Sequence, residues 1–142
     1  MAEPSLYERL GGIFTIAAVI DSFSDRAREN SKIADANPDL HEWHTATYHT
    51  RMPGLKWERT LWLAAISGGP FEYTGKELRD AHFDLKIPPE AFDALAAELA
   101  NTLDDFKVPE PEKGEVLAAF AGEKSEVVAG SQPGEVNWRR WR

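Results

Sequence analysis

Apolar residues recur along most of the chain at intervals of three and four, the period of a helix packed by one face. No stretch alternates cleanly enough to make a half-buried strand. Ile13, Ile16, Ala17, Ile20 and Phe23 form one stripe, which predicts a helix over roughly 13–30. Phe92, Leu95, Ala96, Leu99, Leu103 and Phe106 form a second, on a helix opened by Pro88-Pro89 and closed by Pro109. A last helix, roughly 110–128, places Val116, Leu117, Phe120 and Val127 inward. Between these lies Leu55 to Ile66, apolar on more than one side, started at Pro53-Gly54 and stopped at Gly68-Gly69-Pro70. Shorter segments complete the series. Ser5 and Glu8 make a capping box for a helix that Gly11-Gly12 interrupts. Asn37-Pro38 starts a helix over 38–49, and Gly75 to about Leu85 forms another that carries His82. Five to seven helices without a convincing strand predict an all-α fold packed by ridges and grooves.

Composition narrows the chemistry more than the architecture. The chain has 142 residues, 42% hydrophobic and 28% charged, enough for a single domain over 1–130 followed by a short tail over 131–142. No run approaches the length of a membrane span, and the N-terminus lacks the basic-then-apolar order of a secretory signal, so cytoplasm is the expected location. There is no cysteine. That excludes disulfides, thiolate metal sites, cysteine nucleophiles and thioether-attached haem, and leaves His, carboxylate, Tyr and Met as ligands. The net charge of −8 argues against nucleic acid as a partner. The local exception is the cationic, aromatic end Trp138-Arg139-Arg140-Trp141-Arg142.

Among individual residues, His82 stands first. It lies in Arg79-Asp80-Ala81-His82-Phe83-Asp84-Leu85, where a neutral imidazole in apolar surroundings suits an axial bond to haem iron. The competing reading is a partly buried histidine bonded to backbone. His41, His44 and Tyr48 are spaced to share one helix face. His41 and His44 with Glu42 suggest a weak metal site, lacking the His-Glu-x-x-His order; the other readings are an iron-binding His44, a hydrogen bond from His44 or Tyr48 to a bound ligand, or polar residues on a solvated segment. Gly68-Gly69-Pro70 lacks the Lys and Ser/Thr of a phosphate loop. Asp104-Asp105 and Glu110 with Glu112 read as solvated charges. Trp57 and Trp62, five apart on one helix, face different directions, and packing is the reading for both.

Four segments occur in a telling order: Ser5-Leu6-Tyr7-Glu8-Arg9-Leu10-Gly11-Gly12, then Val19-Ile20-Asp21-Ser22-Phe23, then Gly68-Gly69-Pro70-Phe71-Glu72-Tyr73-Thr74-Gly75, then Asp80-Ala81-His82. With Leu85-Lys86-Ile87 and the Phe92 helix, this set resembles the truncated haemoglobins, most closely their first group, over roughly residues 5–128. The resemblance implies a two-over-two helical sandwich around non-covalent haem b. His82 matches the proximal iron ligand, and the two glycine pairs match the family's helix terminators. Phe23, Leu55, Arg59, Trp62, Leu63, Leu78 and Phe92 are then the residues expected to line the cofactor.

The distal side departs from the pattern. Where the family has a tyrosine after Phe23, this chain has Ser24. Leu55 and Arg59 fall where distal-helix residues face iron. Arg59 points at a haem propionate or a ligand anion, or is a solvated arginine paired with Glu58 or another carboxylate. The segment over 31–52 is about ten residues longer than in compact members, which makes His44 a candidate sixth iron ligand. The implied function is binding of O2, NO or CO opposite His82, serving NO detoxification, sensing or modest peroxidase-like chemistry, with a reductase as partner. The alternatives are a six-coordinate electron-transfer protein using His82 and His44, and a haem-free helical interaction module. Oligomeric state is left open.

Overall fold

The computed structural model describes residues 3–42, 45, 49–76 and 87–128. Its first helix, α1 (Leu6–Arg9), is capped by Ser5, whose Oγ accepts from the Glu8 amide at 3.1 Å. Gly11 and Gly12 then take φ of 100° and 83°, conformations that cost an L side chain strain. This turn lets α2 (Ile13–Glu29) start in a new direction, with Ile16, Val19, Ile20, Phe23, Ser24 and Ala27 buried.

The chain next forms α3 (Ser31–Ala36), α4 (Pro38–Glu42), a 3-10 turn (His49–Arg51) and α5 (Met52–Ile66). The expected helix over 38–49 is therefore shorter, and α3 precedes it. Two asparagines explain the division. The Asn30 side chain accepts from the Lys32 amide at 2.9 Å, and that of Asn37 from the Leu40 amide at 3.0 Å. Each side-chain oxygen starts a new helix by satisfying a donor of its first turn.

Gly68, with φ of 88°, ends α5. Gly75 and Lys76 are not helical, and the rest of the helix expected over 75–85 lies outside the described residues. The chain continues as α6 (Pro89–Asp105), α7 (Glu110–Ala121) and α8 (Lys124–Val127). Gly122 and Glu123 divide the helix expected over 110–128. Among the described residues there is no strand, only an isolated parallel bridge between Ile87 and Val128 that ties the start of α6 to the end of α8.

Helix α2 packs on α5 and α6, and α6 packs on α7, so two helices cover two others around one core. That core joins Leu10, Ile16, Val19, Ile20, Phe23, Leu63, Ala64, Leu99, Leu103 and Val116. One expected inward residue lies outside it: Phe106 is 39% exposed because it sits where α6 stops and the chain turns through Lys107. Trp62 packs against the core, while Trp57, 48% exposed, lines a surface hollow with Ala17 and Asp21 of α2.

The second glycine pair also docks α1. The Tyr7 amide donates to Ser67 O at 2.8 Å, laying the tyrosine ring on Gly69. A Cβ at Gly69 would meet that ring at 2.5 Å and Ala64 O at 2.9 Å. Arg9, reaching Glu112 at 3.0 Å and Glu115 at 2.5 Å, ties α1 to α7 across the surface.

Candidate functional site

Phe23 and Ser24 sit side by side on the buried part of α2, facing α5. Leu55, Arg59 and Leu63 follow at one-turn intervals on α5, so they share a helix face. Where the two faces meet, Arg59 Nη1 donates to Ser24 Oγ at 2.9 Å. The guanidinium carbon lies 6.0 Å from the centre of the Phe23 ring, within reach of a cation–π attraction. Ser24 is 1% exposed, so Arg59 is anchored to an interior partner. Arg59 as a residue retains some exposure, yet desolvation pushes its pKa down to about 10.

The expected pairing of Arg59 with Glu58 is absent. Both Glu58 carboxylate oxygens accept from the Thr74 hydroxyl, at 3.2 Å each. Among the described residues no carboxylate neutralises Arg59. Other cations on the same pair of helices behave differently: Lys56 reaches Asp21 at 2.7 Å and Asp25 at 2.9 Å. A dehydrated charge without a counter-charge is costly.

Behind this pair runs a row of aromatic rings. Phe23 meets Phe120 edge-on, with centroids 6.2 Å apart, and Phe120 stacks on Phe92 at 4.8 Å. Lys124 lies 5.9 Å from the Phe92 ring centre and pairs with Asp93 at 2.9 Å. Phe120 links rings from α2, α6 and α7, although the sequence pattern marks it only as an inward position on the last helix. The signal that could have promoted it is its aromatic identity at an inner position, opposite a helix that itself begins with a buried phenylalanine.

The expected cofactor-lining residues divide into three sets. Phe23, Arg59 and Phe92 gather through the Ser24 bond and the Phe120 ring. Leu63 is buried in the main core and Trp62 packs against it, while Leu55 is half-buried on α5. Leu78, His82 and His44, together with Tyr48, lie outside the described residues. Among the described residues no group of three His, Asp or Glu side chains is arranged to hold a metal ion.

Haem would ask of these helices a dry, apolar wall and polar groups held where a bound ligand or carboxylate can meet them. The residues present fit that demand. Phe23 and Phe92 are 5% and 2% exposed, and the half-buried Arg59 has no carboxylate partner among the described residues.

Comparison with known proteins points the same way. A family model for bacterial-like globins matches residues 5–128. The group 1 truncated hemoglobin of Mycolicibacterium paratuberculosis is 32% identical over 130 residues, spanning 91% of this chain and 88% of the relative. That of Synechocystis is 31% identical over 122 residues, spanning 83% and 90%. The 2/2 hemoglobin from Synechococcus, in its cyanomet state with covalently attached heme, superimposes with a TM-score of 0.75 at 23% identity, covering 88% of this chain and 98% of its own. A glycine-stopped α5, a second helix pair beneath it and a sequence match across nearly the whole core have one common explanation: the chain belongs to the bacterial-like globin family and has the two-over-two fold of the truncated haemoglobins.

Proposed function

We propose that this chain binds haem b non-covalently, with His82 as proximal iron ligand, and receives a diatomic gas on the side lined by Ser24 and Arg59, in NO detoxification or sensing. Membership in the globin family implies haem-based gas binding. The observation that carries the more specific reading is the Arg59–Ser24 bond, an interior polar pair on an otherwise apolar wall.

When bound, haem supplies an iron centre that takes O2, NO or CO. The chain's own residues supply the surroundings. Phe23 and Phe92 exclude water, so a charge or dipole beside them is weakly screened. The Arg59 guanidinium is a rigid fork of N–H donors, and Ser24 holds one of its nitrogens in place. His82 is the only histidine in a segment matching the family's proximal pattern. With no cysteine, the chain has no thiol to form a thioether to haem. Turnover in NO detoxification would require a reductase.

The test is titration of the purified protein with haemin, followed by absorption in the ferric, ferrous and ferrous-CO states. One equivalent saturating a Soret band, CO taken up by the ferrous form and haem extracted by acid–butanone are the expected results. His82→Ala should abolish stoichiometric binding. A ferrous spectrum already six-coordinate without added ligand would overturn the open-site reading, and a Soret band that resists extraction would overturn non-covalent attachment.

A further inference from the structure

We infer that Arg59, held by Ser24, makes the distal side of this pocket a receptor for small anions, favouring negatively charged iron ligands over neutral ones. The inference deepens the haem-binding reading above and rests on it.

Four observations lead there. Arg59 is dehydrated, and among the described residues its polar contacts reduce to the Ser24 hydroxyl and the Phe23 ring face. A guanidinium has five N–H donors, so the bond to Ser24 leaves most of its capacity for a further acceptor. The nearest acidic neighbour in sequence, Glu58, is engaged by Thr74 and does not serve Arg59. Finally, Ser24 is almost wholly buried, so its bond draws the guanidinium inward rather than toward the surface.

Charge decides what such a group prefers. A neutral donor stabilises a dipole, whereas a cation in a poorly screened site favours a full negative charge much more strongly. The tyrosine that the family resemblance would place beside Phe23 is a neutral donor. In its place this chain has a serine whose oxygen accepts from a cation. Replacing one by the other changes the pocket's charge as well as its shape. The small anions that match this chemistry are those that bind ferric haem directly, such as azide, fluoride and nitrite.

A haem propionate is the competing source of the same negative charge. The inward anchoring of Arg59 on Ser24 favours a ligand in the interior, and the experiment separates the two. The ferric, haemin-loaded protein is titrated with azide, fluoride and neutral imidazole, each followed by absorption, in the parent and in Arg59→Leu, Arg59→Lys and Ser24→Ala. Arg59→Leu should weaken azide and fluoride by about tenfold or more, and imidazole by no more than about threefold. Arg59→Lys should recover part of the anion affinity, and Ser24→Ala should give a smaller loss with the same selectivity. If Arg59→Leu does not fold, as read by circular dichroism, the lysine and serine variants carry the same comparison.

Equal losses for azide and imidazole would assign Arg59 to packing and overturn the inference. Unchanged azide affinity would do so as well. If haem dimethyl ester raises the azide affinity of the parent but not that of Arg59→Leu, a propionate occupies the guanidinium in the native pocket and the inference fails. Absence of a stoichiometric Soret band overturns the haem reading, and this one with it. A normal Soret band without anion discrimination overturns only this one.

Discussion

Among the described residues Arg59 has no counter-charge, so its desolvation carries a cost that a bound negative group would relieve. Its pKa is lowered by desolvation, so folding disfavours the protonated form. For a cation with a lowered folded pKa, that penalty is present in full below the folded value of about 10 and fades as pH rises above it. Arg59→Met should therefore stabilise the haem-free protein, by about 1–3 kcal/mol, with a difference that stays flat between about pH 6 and 9. Urea unfolding of both forms across that range measures it. A destabilisation instead would mean that the stem of Arg59 contributes more by packing than its charge costs. A residue-by-residue reading of the sequence finds Arg59 and Ser24 at opposed places in a known pattern. It does not find the bond between them, because the two are 35 positions apart and meet only once α2 and α5 cross.

Helix ends decide how these elements are placed. Gly69 has no room for a side chain between the Tyr7 ring and Ala64 O, so Gly69→Ala must displace α1 or open the end of α5. The expected loss is about 1–3 kcal/mol, read as a lower urea midpoint. Loss of the aromatic near-ultraviolet signal would accompany it if Tyr7 swings away. Gly54→Ala is the control, since nothing lies within 4 Å of a Cβ there. In the core, Leu103 is 1% exposed and joins α6 to α2, so Leu103→Ala should cost about 2–5 kcal/mol in the same assay. The stripes of α2 and α6 were legible because helical period and burial coincide there. The edges were less so. Asn30 and Asn37 each divide the chain by a local side-chain bond, and Gly122 breaks a run whose apolar spacing continues through it.

At the scale of the whole molecule, cofactor and stability should be linked. A ligand bound only by the folded state adds roughly 4 kcal/mol at a thousandfold excess over its Kd. Haemin should therefore raise the thermal midpoint of the parent while leaving that of His82→Ala nearly unchanged. An equal rise in both would sink the assignment of His82 as the ligand that holds iron. The two-over-two arrangement matters here because it joins rings from α2, α6 and α7 through Phe120 in a single row behind the Ser24–Arg59 pair.

The sequence by itself determined the helical class, the two glycine pairs that stop helices and the exclusion of cysteine chemistry, and it carries the resemblance from which His82 is proposed as the iron ligand. These are local properties: periodicity, backbone freedom, residue inventory and order of motifs. The tertiary structure decided which polar groups meet. It turned Arg59 away from Glu58 and onto Ser24, gave Glu58 to Thr74, left Trp57 and Phe106 at the surface and made Phe120 the hinge of an aromatic row. Such pairings depend on the crossing of helices far apart in sequence, and the free energy of a charged group depends on which partners and how much water that crossing leaves around it.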